Sequence, residues 1–326
     1  MTGYLLRRLL GLVPTFLGII VMSFAVMHLA PGKPTDAITD LNIKISLQAK
    51  ERLVQLYGLD QPVHKQFARW AVRTLKGDFG RSFKDGRPVA KVVAERIPLT
   101  LAINAAAMLL ALLIAIPIGV AGAAREGSAL DHGLTLFVFT GFALPSFWVA
   151  LVALDFFGVR LGWLPVSGVH ALGAERWGWA ARLWDLKLHL AIPIGVMVFG
   201  SLAGVSRYVR SQMLEQMSQD YIRTARAKGL PPRDVLYKHA LRNALLPLIT
   251  ILGLSIPGLL GGSVILESIF ALPGMGRLFF DSVAGRDYPV IMALLVIGAV
   301  LTLLGNFIAD ICYAAADPRI RYGGAS

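Results

Sequence analysis

The stretch Asp220-Tyr-Ile-Arg-Thr-Ala-Arg-Ala-Lys-Gly-Leu-Pro-Pro232 carries the most informative chemistry in the chain, and that chemistry is electrostatic rather than covalent. Asp220 is placed to cap a helix N-terminus, its carboxylate accepting from the free amides of the first turn. No breaker interrupts residues 221–228, and Lys228 puts positive charge on the last turn, where the helix dipole favours it. Gly229 supplies the left-handed residue that ends helices, and Pro231-Pro232 cannot continue one. The pattern predicts a basic helix of about two turns, bracketed at both ends, in a loop between two long apolar runs. Such a helix reads as a docking element. The residues alone also allow an amphipathic helix resting on anionic lipid.

No constellation for bond-making accompanies it. The chain has no G-x-x-x-x-G-K-S/T loop, so it is expected to bind no nucleotide itself, and no G-x-S-x-G or H-E-x-x-H run. The six histidines (28, 64, 132, 170, 189 and 239) are scattered over separate segments, so no metal centre and no bound cofactor are expected. The single cysteine, Cys312, sits in an apolar run as inert packing and excludes an intrachain disulfide. Nor is an intramembrane enzyme supported, because no nucleophile lies near a base.

The elements that position the basic helix are apolar spans. Hydrophobic residues make up 56% of the 326 and charged residues 16%, against about 25% in soluble domains; mean hydropathy is +0.63. The net charge of +12 does not point to nucleic acid, since the basic residues lie in loops between apolar runs. Six transmembrane helices are predicted at Leu9–Ala30, Leu99–Gly122, Leu134–Phe157, Leu188–Val205, Leu245–Leu266 and Val290–Ala309. The first is read as a retained anchor, because its apolar run is too long for a signal peptide and His28-Leu29-Ala30 is a poor cleavage site.

Orientation follows from Lys and Arg. With both termini inside, the cytoplasmic segments carry 13, including 8 in 206–243, while the two shorter outside loops carry 6. The remaining 13 fall in 31–98, a loop long enough to be translocated regardless of charge. That loop is expected to be a helical extracytoplasmic subdomain. Ser46–Leu56 has helical spacing, and Gly58-Leu59-Asp60-Gln61-Pro62 is a turn signal. Val63–Leu75 is again helical, with Phe67, Trp70, Ala71 and Leu75 as its stripe. The expected organisation is an anchor (1–30), this subdomain (31–98), a transmembrane core (99–313) containing the cytoplasmic loop 206–243, and a cytoplasmic tail (314–326).

Ionisable residues in the spans (Asp155, His189, Asp310) lie near span ends and read as interfacial or structural. No midplane carboxylate and no internal repeat supports a secondary transporter, although a self-contained transporter or channel remains the other class. Pro257, Gly258, Gly261 and Gly262 interrupt the fifth span. They either bend it beside a translocation path or allow close helix packing, as do the Gly200-x-x-x-Gly204 and Gly258-x-x-x-Gly262 spacings.

The segment from Asp220 through Lys228-Gly229 to His239-Ala-Leu-Arg-Asn-Ala-Leu-Leu-Pro247 resembles the cytoplasmic loop of ABC importer permease subunits, and more narrowly the dipeptide/oligopeptide/nickel permease family. Tyr4-Leu-Leu-Arg-Arg-Leu-Leu with Leu29-Ala-Pro-Gly32 is similar to that family's first span and its exit. Gly58-Leu-Asp-Gln-Pro62, Gly77-Asp-Phe-Gly80 with Ser82, and Glu95-Arg-Ile-Pro98 look like its outer-loop landmarks. Pro145-Ser-Phe-Trp148, Leu161-Gly-Trp-Leu-Pro165, Pro273-Gly-Met-Gly276, Arg286-Asp-Tyr-Pro289 and Asp317-Pro-Arg319 continue the match along nearly the whole chain. One departure is clear. Where the general importer loop begins Glu-Ala-Ala, this chain has Arg223-Thr224-Ala225, and Gly229 lies further from Pro247. Both variations look normal for the peptide/nickel group.

The resemblance implies an all-α type I ABC importer permease in a prokaryotic inner membrane. Its implied partners are a second homologous permease, two ABC ATPase subunits that use ATP and Mg, an extracytoplasmic solute-binding protein and membrane lipid, without nucleic acid. Asp220, Arg223, Thr224, Ala225, Arg226, Ala227, Lys228, Gly229 and Leu230 would form the ATPase-coupling helix. Ala225 and Ala227 would allow close approach, and Arg223, Arg226 and Lys228 would pair with groups on the ATPase. Relatives carry dipeptides, oligopeptides, glutathione-like peptides, nickel chelates or sugars. With few polar residues in the spans, weak selection within the pathway is expected.

Overall fold

In the computed structural model the described residues are 2–29, 61–255, 258–259 and 261–316. The helix expected over Ser46–Leu56, most of the 58–62 turn, Pro257 and the Asp317-Pro-Arg319 motif lie outside them. Among the described residues the chain is almost wholly helical, with one isolated β-bridge between Arg81 and Pro88. Three described helices are long and apolar enough to cross a membrane, or four if one sharply bent pair counts as a single span. The chain divides into two units. One comprises Met1–Thr100, Ile256–Val264 and Gly274–Ser326; the other comprises Leu101–Ser255 and Ile265–Pro273.

In the first unit, α1 (Thr2–Leu29) buries Ile20 and Phe24. Phe24 meets Phe67 and Trp70 of α2 (Val63–Leu75) at centroid distances of 5.2 and 5.7 Å. The expected stripe of α2 is therefore real except at its end: Thr74 turns inward and Leu75 is 66% exposed. Beyond α2, Asp78 accepts from Arg73 Nε at 2.8 Å and from the Gly80 amide at 3.0 Å. These bonds, led by the arginine's, hold its carboxyl below the ordinary carboxylate value. The following loop closes on itself through Ser82 N–H to Arg87 C=O and Val89 N–H to Gly80 C=O. It is then tied to a distant segment. The buried Asp287 carboxylate accepts from Ser82 Oγ and, at 2.9 Å, from the Phe83 amide. Val89 and Val93 of α3 (Val89–Ala94) complete a core with Met275, Val290 and Leu294.

The second unit holds most of α4 (Ile97–Ala124), α5 (Ala129–Ala143), α6 (Ser146–Ala153, continuing as a π-helical turn through Arg160) and α7 (Trp179–Met217). The span expected over Leu134–Phe157 is two helices bent by 98°. Leu144 is extended (φ −83°, ψ 133°), as the residue before a proline must be to avoid its ring, and Pro145 opens the next helix. The span expected over Leu188–Val205 is the middle of α7, whose 39 residues run on toward the basic loop. The fifth span is also interrupted. Its helix Leu246–Ser255 ends before the Pro257-Gly258 and Gly261-Gly262 stretch, and helix returns at Val264–Ile269.

Close helix contacts are made by glycines other than the two expected pairs. A Cβ on Gly119 would stand 2.7 Å from the Ser206 carbonyl oxygen and from Val209, and one on Gly141 would stand 2.8 Å from the Phe199 carbonyl oxygen. At Gly200, Gly204 and Gly258 a Cβ would meet nothing within 4 Å. The single close approaches at Gly119 and Gly141 join separate helices, so no spacing along the chain announces them.

Candidate functional site

The basic loop forms the predicted helix, α8 (Asp220–Ala227), one residue earlier than expected. Gln219 holds the N-cap position in extended geometry (φ −73°, ψ 150°) and makes no side-chain cap bond. Asp220 is therefore not the cap. It is the first helical residue, where its charge still favours the positive end of the dipole, and it pairs with Arg223 at 3.2 Å on the exposed face. Thr224 Oγ1 donates to the Asp220 carbonyl at 3.0 Å.

The C-terminal end agrees with the sequence. Gly229 has φ +76°, its amide donates to the Arg226 carbonyl at 2.9 Å, and the Leu230 amide donates to the Ala225 carbonyl at 3.3 Å. These are the paired bonds of a glycine-terminated helix. Pro231 and Pro232 follow, and Pro232 begins the next helical turn, whose missing N–H costs nothing there.

Burial divides α8 into two faces. Ile222 is fully buried and Ala225 is buried beside it, in a core with Val120, Ala123, Val209, Met213 and Val235. Ala225 is thus spent on seating the helix against its own chain, which corrects the expectation that it lies open for close approach to a partner. Arg223, Thr224, Arg226, Ala227, Lys228, Gly229 and Leu230 are exposed. The outer face is a short ridge carrying three cations and one carboxylate, anchored from beneath by an isoleucine.

The seat is stiffened one helix away. Asp131, buried at the start of α5, accepts from Arg210 of α7 through two nitrogens, Nε at 2.8 Å and Nη2 at 2.7 Å. It also accepts from the Gly127 amide at 3.0 Å, while Ser128 caps the helix by accepting from the Asp131 amide. Seventy-nine residues separate this pair, so the sequence offered no spacing signal for it.

The other predicted residues lie elsewhere. Gly258, Gly261 and Gly262 belong to the first unit, where the Gly261 amide donates to the Gly258 carbonyl at 3.1 Å and Gly262 has φ +65°. Just beyond them, Gly276 abuts the backbone at Ser263 and Val264. His189 is buried in α7, its Nδ1 2.9 Å from the Asp185 carbonyl oxygen and 3.2 Å from Asp185 Oδ1. His170 takes the other carboxylate oxygen at 2.9 Å, so this cluster fastens a loop to α7. Asp155 pairs with Arg160 at 2.6 Å. Among the described residues no group of three or more His, Cys, Asp or Glu could hold a metal ion.

Two family models match. Residues 1–104 fit the N-terminal region of binding-protein-dependent transport system membrane components, and residues 115–322 fit the binding-protein-dependent transport system inner membrane component. The chain is 47% identical to the oligopeptide transport system permease protein AppB of Bacillus subtilis, over 99% of this chain and 100% of that one. It is 40% identical to the glutathione transport system permease protein GsiC of Salmonella typhimurium, over 99% and 100%. It is 36% identical to the di/tripeptide transport system permease protein DppB of Pseudomonas aeruginosa, over 99% of each. Among solved structures, an inward-facing form of the MetNI methionine ABC transporter superposes with a TM-score of 0.56 at 20% identity, covering 71% of this chain and 99% of that one.

Proposed function

The chain belongs to the family of binding-protein-dependent transport system inner membrane components, and from that premise we propose that it carries peptides across the membrane, driven by ATPase subunits that dock on α8. It is a multi-pass permease subunit of an ABC importer. Peptides are the favoured cargo because AppB and DppB are named for oligopeptides and di/tripeptides, and the match to each runs end to end. ATP and Mg belong to the partner subunits, and a second permease completes the pathway. A solute-binding protein delivers the cargo on the side of the 61–98 segment, and both termini are cytoplasmic.

The observation that carries the docking role is the two-faced seating of α8. Ile222 and Ala225 lock it to the chain's own core, while Arg226 and Lys228 face outward. A force applied to the ridge is transmitted to α7 through Val209 and Met213 rather than absorbed by a loose loop. The test is a mild-detergent pull-down of the chain from its native membrane with an ATPase assay. Recovery of a second permease and of ATP-hydrolysing subunits is expected. A repeatedly lone, ATPase-silent chain would overturn the reading in favour of a self-contained transporter.

A further inference from the structure

We propose that a groove between α4, α5 and α7 binds an acidic glycerophospholipid, with Arg207 on the headgroup phosphate and an acyl chain along the apolar wall. The groove measures about 290 Å³ and is lined chiefly by Ile118, Leu134, Val138 and Phe139, with Thr135 and Arg207 at its edge. Gly119 brings α4 hard against α7 beside it, and Gly122 lies close to Asp131 and Arg210.

Charge selects the occupant. The carboxylate in the groove, Asp131, is already engaged by two nitrogens of Arg210 and by the Gly127 amide. Arg207 is exposed and lies over the Phe139 ring, its guanidinium carbon 4.2 Å from the ring centroid. A contact with a ring supplies no counter-charge, so the N–H donors of Arg207 can still bind an anion. The groove therefore holds one uncompensated positive charge beside an apolar wall. A packing helix would have to bring its own carboxylate, whereas an acidic lipid brings phosphate and hydrocarbon together.

Position agrees. Arg207 follows the apolar stretch ending at Val205 by two residues, at the start of the 206–243 segment that carries 8 of the 13 Lys and Arg assigned to the cytoplasmic side. Basic notches at that level on the cytoplasmic side suit anionic headgroups.

The test is native mass spectrometry of the full-length protein in mild detergent, titrated with phosphatidylglycerol or phosphatidylcholine. Three forms would be compared: wild type, Arg207→Gln, and Arg182→Gln as a control for loss of one charge on the same helix. Phosphatidylglycerol should be retained in preference to phosphatidylcholine. Arg207→Gln should lower that preference about fivefold while Arg182→Gln leaves it intact. Phe139→Leu should weaken retention in the same direction. Equal loss in both arginine variants would reduce the effect to general surface charge and overturn the site. Displacement by inorganic phosphate at equal concentration would show that the apolar wall contributes nothing. Unchanged lipid retention with loss of a co-purifying permease in Arg207→Gln would make the groove a protein contact instead. Either of these last outcomes overturns the proposal.

Discussion

At the scale of single residues the sharpest expectations attach to two glycines and one ion pair. Gly229 sits at φ +76°, a conformation that costs a β-branched residue more than the 1–2 kcal/mol or so usual for a Cβ. Gly229→Val should abolish uptake while leaving membrane insertion and protein level unchanged. Normal uptake by that variant would remove α8 from the coupling path. Gly276 is constrained differently. A Cβ there would lie 2.6 Å from the Val264 amide nitrogen, so even Gly276→Ala must displace backbone and should lower the thermal midpoint of the purified protein. Asp131→Asn leaves Arg210 without its charged partner. It should cost about 2 kcal/mol by thermal or denaturant unfolding, with the exposed Glu175→Gln as the comparison for loss of one carboxylate. The glycine at 229 was legible because a glycine between a helix-prone run and two nearby prolines declares its role locally. The clash at Gly276 and the Asp131–Arg210 pair were not, because their partners are remote in the chain.

At the scale of elements, α8 separates into a seat and a ridge that can be tested apart. Ile222→Ala should remove about 2–4 kcal/mol of local stability and loosen the helix, read as faster amide exchange over 219–230. Arg226→Gln should leave exchange and melting unchanged but weaken co-purification of ATPase subunits. If the two variants behave alike, the faces are not functionally distinct. The short loop after α2 offers a second element-level expectation. Asp287→Ala strands the Ser82 hydroxyl and the Phe83 amide, so limited proteolysis should begin to cut within 81–88.

Element type was readable from apolar run length and periodicity, and α2 follows its expected bounds. Element continuity was not, because run length cannot report direction. Leu134–Phe157 is unbroken in hydropathy, yet Pro145 forces Leu144 out of helical geometry and the axis turns by 98°. The proline was visible in the sequence; what hid the bend was that span prolines in this chain, such as Pro117 and Pro193, also sit inside continuous helices.

At the scale of the whole molecule, function rests on a topology that loop charge predicts. In spheroplasts of a Cys312→Ser background, Lys84→Cys should react with a membrane-impermeant maleimide. Arg226→Cys should react only after permeabilisation. Labelling of both in sealed spheroplasts would reverse or scramble the proposed orientation and place α8 where no ATPase can reach it.

One mechanical consequence follows from the length of α7. Its 39 residues make a rod of about 58 Å, roughly twice the thickness of a bilayer's hydrocarbon. Pro193 weakens the rod at one point by removing a backbone hydrogen bond, and about 36 Å of helix separates that point from Met217. A flexure of about 10° there would sweep the far end through roughly 6 Å, about one helical turn. On the docking we propose at α8, α7 would work as a lever arm with its fulcrum at a proline and its handle at α8, and the core would need no large rearrangement to register an ATPase's stroke.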